Sequence, residues 1–290
     1  MRYINTSHIN PPNNWVDLAR EQNRTADYPP TTSLWSYFKS QLEGIVGKKC
    51  WYSESLNIGS INPIDHFRPK AARIKELPKF EQLKDVLDRI NINSGNGYPF
   101  LIHEFSNYRY ACGRVNSPIK HETKDKLSRG KWDYFPIKIN TTRATTLDER
   151  ASEEICFIDP CIQEDTELLT FTDIGTIQAH KSVLEAEWEY CKVLVSIEVY
   201  HLHYYEFCEV RKEVWKDCAK EIRLSTRLYE KNPKTDEEQE NFSDRIEKLV
   251  ILINKKTQFS AVAIDCIRFY KSQPAYAWLN IFFTDKNLKK

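Results

Sequence analysis

Apolar positions recur at helical spacing over Leu34, Trp35, Phe38, Leu42, Ile45 and Val46, which predicts a helix ending at Gly47, with Thr32 and Ser33 as candidate caps. A second amphipathic helix is predicted after Pro69 from Phe80, Leu83, Val86, Leu87 and Ile90, broken at Asn93-Ser94-Gly95-Asn96-Gly97. Before these lies a polar, proline-containing arm, residues 1–33, with one short helix around Trp15 to Glu21. Residues 155–177 read as a short extended segment, a turn at Pro160 and a hairpin-like return at Asp173-Ile174-Gly175.

From Gln178 onward the pattern changes to long helices. One runs through Leu184, Trp188, Val193, Ile197 and Val199 and continues, after a kink or break, to Trp215 and Ile222. Lys231-Asn232-Pro233-Lys234 is a turn. Thr235 with Glu238 forms a capping box for a helix through Phe242, Ile246, Leu249, Ile251 and Leu252, and a last helix spans Gln258 to about Lys271. The fold class expected is α+β and mainly helical, in three parts: the arm 1–33, a domain 34–177 and a helical region 178–290.

Composition narrows the function classes. With 41% hydrophobic and 29% charged residues, the 290-residue chain has the make-up of a soluble globular protein. Its net charge of +1 gives no global electrostatic case for nucleic acid, so any such case is local. No stretch approaches a membrane helix and Met1 to Asn5 shows no signal core, so a cytoplasmic protein without a membrane partner is expected. The eight cysteines show no paired spacing and no Cys-x-x-Cys, which argues against a disulfide framework and a four-thiolate zinc site. Cys191, Cys208, Cys218 and Cys266 read as core residues of the helices, and His201 and His203 as helix-surface or core histidines.

The stretch with the most chemistry in it is Ile61-Asn62-Pro63-Ile64-Asp65-His66-Phe67-Arg68-Pro69-Lys70. Adjacent side chains of a strand point to opposite faces, so Asp65 can hold a metal ion while His66 activates water. Phosphodiester hydrolysis uses both parts, a divalent ion for the developing negative charge and a base of near-neutral pKa. Arg68 and Lys70 then face the phosphate backbone. On the dipeptide alone, a histidine capping a turn is the commoner reading. Further on, Lys124 to Arg150 carries seven basic residues, Lys131 among them, interleaved with Trp132, Tyr134 and Phe135. That composition suits backbone tracking and base stacking and equally suits a solvated loop, since Asp125, Asp133, Asp148 and Glu149 dilute the charge.

Asn107, Asn116 and Lys120 follow the Asp-His pair in an order that resembles the catalytic hairpin and helix of the HNH endonucleases. A closer resemblance is to the HNH nuclease subunit of Septu-type and retron-associated anti-phage systems. Lys49-Cys50-Trp51-Tyr52-Ser53-Glu54, Ile64-Asp65-His66-Phe67-Arg68-Pro69-Lys70, and Tyr98 to Cys112 closed by Asn116 and Lys120 carry it. Phe135-Pro136 and Ile158-Asp159-Pro160 follow as landmarks, with a weaker echo at Phe259-Ser260-Ala261. The resemblance covers about residues 34–177 and implies a ββα-metal core.

It also implies roles: His66 as general base, Asp65 and Asn116 as ligands of one Mg²⁺ or Mn²⁺, Asn107 as the orienting amide, and Lys120 as a phosphate contact. His121 stands as an alternative ligand to Asn116. Where the family has two Cys-x-x-Cys knuckles, this chain has Cys50 to Ser53 and Cys112 to Val115, so no structural zinc is expected. One tightly held zinc per chain in elemental analysis would contradict this. The hairpin must then be held by packing around Trp51, Phe67 and Phe105.

By resemblance the partners are a nucleic acid substrate and an ATPase subunit docked on residues 178–290; this chain has no phosphate-binding Gly-rich loop of its own. Two other readings stay open: a catalytically degenerate assembly or recognition subunit, and a plain nucleic-acid binder using Lys124 to Arg150.

Overall fold

Two layers of apolar packing enclose a short antiparallel strand pair, and the candidate residues sit at the end of that pair. The structure is a computed structural model that describes residues 1–11, 13–25, 34–57, 62–120 and 126–283. In chain order its N-terminal half runs α1 (Trp15–Thr25), α2 (Lys39–Val46), β1 (Ile64–His66), β2 (Arg73–Ile74), β3 (Ile90–Asn91), β4 (Gly95–Asn96), β5 (Tyr108–Tyr110) and α3 (Gly113–Asn116). There follow β6 (Ile119–Lys120), β7 (Ser128–Arg129), β8 (Ile137–Lys138), α4 (Gln163–Glu167), β9 (Leu169–Phe171) and β10 (Ile177–Ala179). The C-terminal half is α5 (Trp188–Val199), α6 (Tyr205–Tyr229), α7 (Asp236–Ile253) and α8 (Ser260–Lys271), then a 3₁₀ helix Pro274–Phe283. Among the described residues about half are helical and the strands form small two-stranded sheets, an α+β and mainly helical architecture.

The expected helix from Leu34 is a 3₁₀ turn, Leu34–Phe38, that passes into α2 and stops at Gly47, whose φ of 73° is favourable only for glycine. Its candidate caps Thr32 and Ser33 lie outside the described residues. The second expected helix is instead a 3₁₀ helix, Glu81–Arg89, burying Leu83 and Val86, while Ile90 belongs to β3. The break foreseen in the long helix falls between α5 and α6, where His201 takes a φ of 52°. Leu184 lies before α5 and is exposed. Thr235 and Glu238 form the reciprocal capping box of α7. The Asp173 to Gly175 return is the turn of the β9–β10 hairpin, and α4 is an added short helix in front of it.

One apolar cluster lies among α1, α2 and one face of β1–β5, with Trp15, Phe38, Leu42, Trp51 and Tyr108 in it. The larger cluster runs from Met1 through Phe67, Phe135 and Phe157 into α5, α6 and α8, without a break at the expected boundary near residue 177. The N-terminal arm contributes too: Met1, Ile4, Ile9 and Trp15 are buried, and Arg2 Nη1 donates to the Ile253 carbonyl at 3.1 Å. Among the described residues no helix is long and apolar enough to cross a membrane.

Candidate active site

The register of β1 against β5 places Ile64 opposite Tyr110, Asp65 opposite Arg109 and His66 opposite Tyr108. His66 and Asp65 therefore project from opposite faces of the pair. His66 Nε2 lies 2.9 Å from the Ile102 carbonyl, which can only accept, so that nitrogen carries the proton. Nδ1 is left as the basic lone pair. Trp35 stands edge-on to the imidazole at 5.2 Å between ring centroids, and Tyr108 at 5.1 Å. Burial, and then the charge of Lys70, pull the His66 pKa down to about 3, so the ring is neutral at physiological pH but a weaker base than the near-neutral one expected from the sequence.

Asn107 ties off the end of β1. Its Oδ1 accepts from the Arg68 N–H at 2.8 Å and its Nδ2 donates to the Arg68 carbonyl at 3.0 Å. The Phe67 N–H donates to the Asn107 carbonyl at 2.8 Å. This double clasp fixes the backbone directly after His66.

Asp65 is buried and fully engaged. Tyr52 O–H donates to Oδ2 at 2.5 Å and Lys131 Nζ donates to Oδ1 at 2.9 Å. Each carboxylate oxygen keeps one further lone pair. Asp65, His66, Lys70, Asn116, Trp132 and Asp133 line one cavity of about 360 Å³. Asn116, at the end of α3, uses its backbone N–H on the Cys112 carbonyl at 3.0 Å, and its side chain makes no hydrogen bond to a described residue. Asp133 is half-buried, and its pKa is raised by burial against the pull of Lys131 and Lys75. Asp65, Asn116 and Asp133 offer oxygen donors of the kind a hard divalent ion such as Mg²⁺ or Mn²⁺ takes, although among the described residues no three His, Cys, Asp or Glu side chains are grouped to hold a metal.

The basic residues fall elsewhere than expected. Lys131 is wholly enclosed, with its ammonium on Asp65 and on the His66 carbonyl at 2.7 Å, so it does not face a phosphate backbone. Arg68 is also turned inward: Nε donates to Glu153 Oε2 at 2.8 Å, and the side chain is only 12% exposed. Arg129, from the same basic run, pairs with Glu198 of α5, its Nε donating at 2.7 Å. The physical reason is shared, since each charge meets a carboxylate or carbonyl inside the fold and avoids the cost of a lone buried ion. Lys70 does reach the cavity, its Nζ 3.7 Å from the centre of the Trp35 ring. Lys120 is placed by its backbone alone, opposite Ser128, and His121 lies outside the described residues.

Sequence reasoning missed Tyr52 as the donor to Asp65, Trp132 and Asp133 at the cavity, and the inward role of Lys131. The signal was present: Gly130-Lys131-Trp132-Asp133 sets a lysine just before the apolar Tyr134-Phe135-Pro136, where an exposed charge is out of place.

The knuckle positions also converge. Ser53 Oγ and Ser55 Oγ each lie 3.9 Å from Cys112 Sγ, and Cys50 hydrogen-bonds to the same sulfur. That bond, ahead of those from the Val115 amide and the two serines, draws the Cys112 pKa down to about 6. Burial pushes Cys50 up. Two thiols, a hydroxyl and the isopropyl of Val115 do not make the four-ligand set of a structural zinc. The hairpin is instead packed on both sides, with Trp51 and Phe67 buried and Phe105 stacked on Phe38 at 5.8 Å.

The chain is 31% identical over 180 residues to the Septu protein PtuB of Bacillus mycoides (strain KBAB4). The alignment takes in 62% of this chain and 51% of that protein, so the chain spans about half the length of this curated relative. No family model matches the chain, and no solved structure matches it significantly.

Proposed function

We propose that the chain is a metal-dependent HNH-type endonuclease, the effector subunit of a Septu-type anti-phage defence complex. The observation that carries this is His66: a buried neutral imidazole whose proton is pinned on Nε2 by the Ile102 carbonyl, lining one cavity with Asp65 and Asn116. Asp65 and His66 come from β1, Asn107 from the turn entering β5 and Asn116 from the short helix α3, an order that supports the ββα-metal reading the resemblance implies. The similarity to a Septu protein supports the defence setting.

In this reading His66 Nδ1 takes the proton of an attacking water, and Asn107 holds the strand so that Nδ1 keeps its aim. Asp65 and Asn116 would hold Mg²⁺ or Mn²⁺, which supplies charge stabilisation for the phosphorane and the leaving oxygen. Lys70, at the cavity wall, is the cation left to meet the phosphate. Nucleic acid is the substrate, and an ATPase subunit of the system is the partner.

The test is cleavage of plasmid, single-stranded DNA and tRNA with Mg²⁺ or Mn²⁺, with and without the partner. His66→Ala is expected to lower cleavage roughly 10²- to 10⁴-fold, the usual worth of a positioned base. Equal activity in that variant would remove the mechanism. A second reading, a non-cleaving assembly subunit, draws on the ion pair that already occupies Asp65 and on the incomplete knuckles. Absence of cleavage by a folded, partner-bound protein under every condition would favour it.

A further inference from the structure

The carboxylate proposed to hold the divalent ion already has a cation beside it. Lys131 Nζ donates to Asp65 Oδ1 at 2.9 Å and to the His66 carbonyl at 2.7 Å, and its side chain is 0% exposed. The backbone around it is fastened at three successive residues. The Gly130 N–H donates to the Val199 carbonyl at 2.8 Å, the Lys131 N–H to Val115 at 2.6 Å, and the Trp132 N–H to Asn116 at 2.8 Å. Gly130 permits this approach: its φ is +121°, and a Cβ there would lie 1.9 Å from the Ser117 carbonyl oxygen. The ammonium is thus held on Asp65 by the same segment that braces Asn116.

We infer that Lys131 is a built-in cation of the site, a positioning residue that fixes Asp65 and by its charge sets how weakly that carboxylate holds a divalent ion. The inference rests on the reading of Asp65 as a metal ligand. A carboxylate already neutralised by an enclosed ammonium offers a second cation no net charge, and two like charges a few ångströms apart in a partly enclosed cavity repel strongly. Tyr52 on Oδ2 adds to this, since no oxygen of Asp65 is free of a protein donor.

The experiment is a Mn²⁺ titration of the full chain, with the free ion followed by electron paramagnetic resonance, in wild type, K131Q, K131R, K131M and D65N. K131Q keeps a donor for Asp65 while removing the charge, so it decides the matter if K131M, which strands the carboxylate, does not fold. K131Q and K131M are expected to bind Mn²⁺ roughly tenfold or more tightly than wild type. K131R is expected to stay near wild type, and D65N to lose the ion. Loss of binding in D65N with no gain in K131Q would overturn the role of Lys131 and leave Asp65 as ligand. A gain in K131R equal to that in K131Q would overturn charge as the cause. Unchanged binding in D65N would overturn the ligand reading, and this inference with it.

Discussion

His66 gives the chain a histidine that stays uncharged through the physiological range, because burial and Lys70 both oppose its protonation. The consequence for stability has a definite sign. Its folded pKa of about 3 lies below the ordinary 6.5, so between those values the unfolded chain binds more protons and stability falls as pH falls. His103 and His203 are lowered by burial as well and add to the same slope. His66→Gln, whose amide can still donate to Ile102, is expected to flatten the pH dependence between pH 6.5 and 5 by up to about 1.4 kcal/mol per unit, one group's share. Urea unfolding across that window checks it; an unaltered slope would place the proton elsewhere. Asp65, His66, Asn107 and Asn116 were legible as candidates because they lie in short runs whose order carries meaning. The partner of Asp65 was not, since Lys131 is 66 residues away and stands in a run of lysines that looks solvated. The apolar residues after Lys131 point to its turning inward, but which carboxylate it meets is decided by long-range packing.

At the scale of elements, the segment Gly130 to Asp133 has no regular structure and still does much of the positioning. Gly130→Ala forces a Cβ to within 1.9 Å of the Ser117 carbonyl oxygen at a backbone angle that other residues rarely adopt. The expected cost is about 3 kcal/mol or more, from strain and clash together, read as a lower midpoint in chemical unfolding. A cost under about 1 kcal/mol would mean that β6 and this segment separate easily. The long helices were readable because their signals are local: the Thr235–Glu238 box starts α7, and apolar spacing marks α5, α6 and α8. The 3₁₀ helix Glu81–Arg89 was misread as an α-helix because its buried Leu83 and Val86 are three apart, a spacing both helix types satisfy. The two-residue strands were invisible, being shorter than any alternation can show.

For the whole molecule, the expected cut between residues 177 and 178 divides a shared core. Lys49, buried beside Glu54, donates to the carbonyls of Lys255 at 2.7 Å and Thr257 at 2.9 Å. Glu54 Oε2 accepts from the Ala261 N–H at 3.0 Å, and the Ile158 N–H donates to Ser196 Oγ at 2.8 Å. A fragment of residues 1–177 is therefore expected to lack cooperative unfolding, because Lys49, Glu54 and a broad apolar face lose their partners together. A sharp thermal transition in that fragment would show that the first part folds alone. The same continuity gives Gly130 a second meaning. Its amide hangs from the last carbonyl of α5 while its neighbours grip Asp65 and Asn116, and Arg129 is tied to Glu198 one residue earlier on that helix. The end of α5 and the floor of the cavity thus form one mechanical linkage, so a load that tilts the helical half is delivered directly to the carboxylate at the other end.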